Sequence, residues 1–173
     1  FSSEVLIVDD VFKRVNVKSF KEIQIEDSKI EKILCAAMQA PLMSNQHDWE
    51  FILTKGKKKI TELAEMSPYS GPIQRAPMAI TIVANKNKLN YLDTWEQDLA
   101  SATQNILAEA VELELGGMWI GVAPFEVRMK YLKNILQLPE HIVPFSIIAL
   151  GYPKEELKNV ATYDMAKVHF EKY

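Results

Sequence analysis

Three short stretches concentrate the side chains that could do chemistry in this chain. The first is KRVNVKSF, Lys13 to Phe20, where Lys13, Arg14 and Lys18 bring cations and Asn16 an amide. A dianionic phosphate needs cations and hydrogen-bond donors of this kind. A solvated basic turn has the same composition, and the residues alone leave both readings open. The second stretch is APLMSNQHDWEFI, Ala40 to Ile52, in which Asn45 stands as a polar ligand or as an ordinary turn residue. The third is LGGMWIGV, Leu115 to Val122, whose Gly116 and Gly117 fit the end of a helix. Gln104 and Asn105 lie upstream of it on a mostly apolar segment, and need hydrogen-bond partners wherever they are buried.

Several other chemistries have no sequence support. His47, His141 and His169 stand far apart, with no HExxH and no paired cysteine, so no metal site is expected. There is no GxSxG elbow, no GxGxxG after a strand and no GxxxxGK[ST] phosphate loop. Glu109, Glu112 and Glu114 read as a solvated helix face. The lone cysteine, Cys35, excludes an internal disulfide and, within ILCAAM, reads as a buried small hydrophobe. An enzyme without evident acid, base or metal ligands is one in which a cofactor carries the reaction.

The elements that must position these stretches follow from periodicity. The chain has 173 residues, 48% hydrophobic and 25% charged, with a net charge of −3, the balance of one globular domain. No basic surplus points to nucleic acid, and no apolar run approaches the ~20 residues that cross a bilayer. The start, FSSEVLIVDD, has no basic n-region and no initiator Met, so a cytoplasmic protein with residues missing upstream is expected. A first helix is expected over about residues 3–14, and a second begins at an Asp27/Ser28 cap with Ile30, Ile33, Leu34, Ala37 and Met38 on one face, ending at Pro41. Strands are expected at 49–55, 77–85, 118–122 and 143–151, and helices at 56–66, 93–115 and 124–136, the last opened by Pro124. Residues 67–77, with three prolines, a glycine and two serines, read as a loop. Mixed helices and strands without strict alternation predict an α+β fold. The tail, 152–173, keeps Tyr163, Met165, Val168, Phe170 and Tyr173, and so must pack on its own domain or on a partner.

The three stretches, in order, resemble segments of the FMN-dependent nitroreductase family, and the resemblance runs through nearly the whole chain. KRVNVKSF is similar to the family's R-R-S-V-R-x-F element, with Asn16 in the usual Ser place and Val15 where a second Arg or His is common. APLMSNQHDWEFI resembles A-P-S-x-x-N-x-Q-P-W-x-F-I, with Leu42 for Ser and Asp48 for Pro. Arg75, Ala76 and Pro77 enter a strand as in A-P-x-x-I-V-V. Asp98, Gln104, Asn105 and LGGMWIGV match D-x-x-x-A-x-Q-N and L-G-L-G-x-x-W-I-G, and IALGYP matches I-x-I-G-Y-P. Thr162, Tyr163 and Asp164, then Val168, His169 and Glu171, resemble R-Y-D…V-H-x-E.

The resemblance implies a nitroreductase-type fold, a central and mostly antiparallel sheet flanked by helices, in an intertwined homodimer. One domain would span 1–173, with 152–173 an extension onto the partner subunit. Each site would hold FMN through Arg14, Val15, Asn16 and Lys18, through Ile120, Gly121 and Val122 at the turn facing flavin N5, and through Pro41, Leu42, Met43 and Asn45 of the other subunit's loop. Lys158 would stand in for the lost tail arginine. Reduced NADH or NADPH would pass hydride through N5 to a small-molecule acceptor such as a nitroaromatic or quinone, by ping-pong kinetics. Other flavin chemistry on the scaffold (dehydrogenation, dehalogenation, flavin modification) stays open, as does a degenerate non-catalytic flavin binder. With Val15, Pro72 and Thr162 in place of polar or charged family residues, FMN retention is expected to be weak.

Overall fold

Two nearly unbroken apolar runs, Met78–Asn85 (β2) and Ile142–Gly151 (β4), pair at the centre of the sheet because both of their faces are covered. The computed structural model describes residues 9–156 and 163–173. The outer strands are Trp49–Thr54 (β1), paired with β2, and Gly116–Gly121 (β3), paired with β4. The order is β1-β2-β4-β3 and every pairing is antiparallel. Successive side chains of a strand point to opposite faces. Met78, Ile80, Ile82, Ile148 and Leu150 therefore face one core, while Ala79, Ile147 and Ala149 face another.

Helices Asp27–Met38 (α2) and Trp95–Glu112 (α5) cover the first face with Ile30, Ile33 and Ala37, and with Leu99, Ile106 and Ala110. Their spacing of three and four residues makes these stripes continuous. Asn105 ties the pair together by donating from Nδ2 to the Ala36 carbonyl at 2.9 Å, while Gln104 points to solvent. Helices Lys57–Ala64 (α3) and Glu126–Ile135 (α6) cover the second face with Ile60, Leu63 and Leu132. A short helix, Asp9–Lys13 (α1), precedes the basic stretch; its expected start lies outside the described residues.

Several local expectations are corrected. The α2 cap is Glu26, not Asp27 or Ser28, and no side chain caps the helix: the Glu26 carboxylate instead accepts a 2.6 Å hydrogen bond from the Tyr152 hydroxyl. Cys35 is exposed, because it lies off the face that carries Ile30, Ile33 and Ala37. The loop 67–77 contains one helical turn, Gly71–Gln74 (α4), with Pro72 buried in its first turn. Gly116 and Gly117 do not cap α5. Glu114 does, at φ 63°, with Leu115 N–H bonded to the Ala110 carbonyl and Glu114 N–H to the Val111 carbonyl. The two glycines are strand residues because the chain crowds there: a Cβ on Gly116 would lie 2.4 Å from Val17 and one on Gly117 2.7 Å from Leu107. Pro124 precedes α6 rather than opening it, since hydrogen bonds hold Val122–Phe125 in a turn.

Within β4 the register slips so that Ile82 faces Ser146 and Val83 faces Pro144, leaving Phe145 in a bulge. Pro144 sits beside that bulge, where the missing N–H costs least. The Phe145 carbonyl accepts from both Val122 N–H (3.0 Å) and Ala123 N–H (2.9 Å), which fixes the exit of β3. Its ring meets Trp95 and Trp119 edge-on, with centroids 6.0 and 5.8 Å away. At the far end of the chain, residues 163–173 are all exposed, Tyr163, Met165, Phe170 and Tyr173 among them. The tail thus finds no core on its own chain.

Candidate functional site

The basic stretch lies along the outer edge of β3. Val17 N–H donates to the Gly117 carbonyl at 3.1 Å, and Asn16 bridges Gly117 in parallel. Val17 is buried and Val15 packs against the second core, which turns the alternate residues outward: Arg14 is half-buried, Asn16 and Lys18 exposed. The Arg14 guanidinium donates to Asn16 Oδ1 at 3.2 Å. Two cations that the sequence did not assign to this region join it. Arg75 Nε donates to the Lys18 carbonyl at 2.8 Å, from a position 57 residues away. Arg128, on α6, donates to the Gly121 carbonyl at 2.7 Å and lies 4.3 Å from the centre of the Phe125 ring. The sequence shows these arginines but not that the chain folds them back onto this edge.

In an antiparallel strand, residues two apart send both backbone groups to the same side. The Gly117 carbonyl points away from β4, toward Val17, so Trp119 and Gly121 also present N–H and C=O on the outer edge. The carbonyl of Gly121, taken by Arg128, follows that rule. Val122 N–H is committed to Phe145. Trp119 and Gly121 thus both turn an amide outward, and at Gly121 no side chain stands beside it: a Cβ built there would have nothing within 4 Å. Ile120 is buried in the second core and supports the strand from behind.

The loop 41–48 is held differently. It makes a short 3-10 turn, Met43–Asn45, with Ser44, Asn45 and His47 in the left-handed region at φ 45°, 53° and 46°. Non-glycine residues there cost of order 1–3 kcal/mol each, and asparagine least. Asp98, at the start of α5, holds the loop: Oδ1 accepts from Met43 N–H at 2.8 Å and Oδ2 from Gln46 Nε2 at 2.6 Å. Gln46 Oε1 in turn accepts from Asn90 N–H at 3.1 Å. Asp48 is fully buried beside this node, and among the described residues neither of its carboxyl oxygens has a hydrogen-bond partner. Burial above all, and the charge of Asp98, push its carboxyl from 3.8 up to about 6. The loop offers Met43 and Asn45 to solvent, with Leu42 half-buried and Pro41 exposed.

The structure therefore brings Arg14, Asn16, Lys18 and Gly121 to one edge, and anchors Pro41, Leu42, Met43 and Asn45 separately at the start of α5. Lys158 and Thr162 lie outside the described residues. The anchoring role of Asp98 and the orphaned Asp48 were missed in the sequence, where a buried carboxylate pair 50 residues apart leaves no local signal.

A four-stranded antiparallel sheet in the order β1-β2-β4-β3, helix-covered on both faces, defines an α+β fold of the nitroreductase type. The chain belongs to the nitroreductase family, whose profile matches residues 11–78 and 66–152. A protein of Archaeoglobus fulgidus, provisionally named NADH dehydrogenase/NAD(P)H nitroreductase, is 40% identical over 147 residues, 84% of each chain. An FMN-dependent nitroreductase of Clostridium difficile R20291 superposes with a TM-score of 0.89 at 32% identity, covering 95% of this chain and 98% of that one. The NADPH:FMN oxidoreductase of Vibrio harveyi, solved with NAD+, shares the fold at TM-score 0.83 and 18% identity, over 96% of this chain and 77% of its own.

Proposed function

We propose that this chain is an FMN-dependent oxidoreductase that uses NADH or NADPH to reduce electron-poor acceptors such as nitroaromatics and quinones, working in the cytoplasm as a homodimer with one site per interface half. The observation that carries this reading is the outer edge of β3, where the basic stretch meets Gly117 and where Gly121, further along the same edge, turns its amide outward beside Arg128. FMN, when bound, supplies a hydride acceptor at N5 that a reduced nicotinamide fills and a second substrate empties in alternating half-reactions.

The chain's own part is binding, orientation and exclusion of water. Arg14 and Asn16 are the residues to hold the phosphate, by charge-assisted and neutral hydrogen bonds. Lys18 supplies positive charge at the pyrimidine edge, and Arg75 fixes the Lys18 backbone. The Gly121 amide would be the donor to the flavin's N5, with no Cβ to hold the ring away. Leu42, Met43 and Asn45 would close the partner subunit's site, the first two with apolar surface and the third with an amide.

The dimer is supported by two features of the single chain. The loop that should line a flavin is anchored apart from the cationic edge, and the tail exposes Tyr163, Met165, Phe170 and Tyr173. Burying each such side chain on a partner would stabilise the assembly by roughly 1.5–3 kcal/mol. The deciding test is a flavin titration followed by absorbance, with sedimentation of the intact chain and of a version ending at residue 156, which keeps the contacts of Tyr152, Pro153 and Lys154 with their own chain. The intact chain is expected to develop a bound-flavin band in the blue and sediment as a dimer, and the shortened one to do neither. A monomer that binds flavin without the tail would overturn the shared-site reading.

A further inference from the structure

A second cavity of about 490 Å3 opens on the far side of the basic stretch, beginning at Ser19, one residue beyond Lys18. Lys21, Lys55, Lys57, Arg75 and Lys154 line it against a single carboxylate, Glu22. The chain as a whole has 20 basic and 23 acidic residues, so this concentration is local and not a general excess. It is also assembled from separate segments. Lys21 and Lys154 are brought together where Lys21 N–H donates to the Tyr152 carbonyl (2.8 Å) and Lys154 N–H to the Ser19 carbonyl (3.2 Å). Lys55 and Lys57 flank Gly56 at the turn from β1 into α3.

Among the described residues, Lys55 is the one lining cation with a counter-ion, Asp27 at 2.9 Å, and that pair is exposed and weak. The start of α3 adds to the positive field: its first turn has three lysines, no acid and no side-chain cap, the reverse of the usual charge order at a helix start. Gathering like charges raises the energy of the folded chain unless an anion offsets them. The floor of the cavity is apolar, with Phe20 and Ile60 buried beneath the cations. Its volume is that of a small-molecule site.

We propose that this cleft takes the phosphate groups of the nicotinamide dinucleotide co-substrate. The proposal rests on the oxidoreductase reading above. Arg75 connects the two places, since it lines the cleft and holds the carbonyl of Lys18, the residue assigned to the flavin's pyrimidine edge. A dinucleotide with its ring at the flavin could then run its charged half past Arg75 into the cations, with ribose or base against Phe20. Two anionic parts would suit the site, the diphosphate common to both dinucleotides and the 2′-phosphate of NADPH alone.

Calorimetric titration with ADP and with 2′,5′-ADP tests this directly, using the flavin-loaded protein and the double variant Lys57→Gln/Lys154→Gln. The variant is expected to bind about tenfold or more weakly, as loss of charge-assisted contacts requires. It should keep the flavin spectrum and kcat while KM for the dinucleotide rises. Equal weakening for both probes assigns the cleft to the diphosphate, and weakening confined to 2′,5′-ADP assigns it to the 2′-phosphate. Lys58→Gln, on the same turn but outside the lining, should leave binding unchanged. The proposal is overturned if wild type binds neither probe, if the double variant binds both as well as wild type, or if Lys58→Gln weakens binding equally. Failure of the flavin reading shows separately, as absence of the flavin spectrum, and the titrations on that protein still score the cleft.

Discussion

The two halves of the proposed site are built on opposite principles. The cationic edge is a main-chain construction: residues 14–18 meet β3 through the backbone, glycines admit the close approach, and the side chains of Asn16 and Lys18 are exposed. The loop 41–48 is a side-chain construction. One buried carboxylate, Asp98, gathers a backbone amide and a glutamine side chain, and holds left-handed residues in place. A backbone-built half should tolerate substitution of its side chains without unfolding, whereas a half hung on one carboxylate should not.

The sharpest way to break the contrast is Asp98→Ala. It leaves Met43 N–H and one of the two Gln46 amide hydrogens without a partner, the other staying on Thr94 Oγ1, at about 3 kcal/mol in total. For a chain of this length that lowers Tm by roughly 6–12 °C in thermal unfolding followed by circular dichroism. A change under a degree would show that the loop is held by something else.

The next largest effect is on pH dependence. The folded Asp48 carboxyl sits at about 6, above its ordinary 3.8, under burial and the opposing influences of Asp98 and Lys88. The folded state therefore keeps a proton that the unfolded chain has released. That stabilisation is fully present below the ordinary value and is lost as pH rises through about 6, a fall of about 2 kcal/mol after allowance for relaxation around the buried group. Asp48→Asn should abolish this component, so the difference between the two proteins' urea midpoints should grow from about pH 4 to pH 7 and then stay level. A constant difference across that range would place Asp48 in a solvated setting.

Gly121→Val probes the other half. The new side chain enters open space, so stability should change by less than about 0.5 kcal/mol, while flavin affinity falls by about tenfold or more through loss of close approach. Unchanged flavin affinity would move the ring elsewhere. The smallest effect is expected from Glu114→Gly, which relieves a left-handed residue at the end of α5 and should raise stability by up to about 1 kcal/mol without altering flavin binding.

The same contrast explains what could be seen in the sequence. β2 and β4 were legible because burial on both faces leaves no polar alternation to interrupt them, and α5 because its apolar stripe repeats within one turn. Arg14, Asn16 and Lys18 stood out in the sequence as cations and an amide in one short stretch, but their place on the edge of β3 did not. Gly116 and Gly117 were misread, because what they accommodate, Val17 and Leu107, is remote in sequence. Arg75, Arg128 and Asp98 were in view in the sequence, Asp98 within a family segment, but their partners, the Lys18 and Gly121 carbonyls and the loop 41–48, were not. Asp48 was visible only as a residue out of place beside Trp49, not as a carboxyl with a displaced proton equilibrium.

The bulged Phe145 touches both halves. Its ring spans from Trp95, at the first turn of α5 beside Asp98, to Trp119 on the edge strand, and its carbonyl clamps the strand's exit. In the proposed dimer each chain gives its edge to one site and its loop to the other, so a substitution of Phe145 would disturb the packing behind two sites at once.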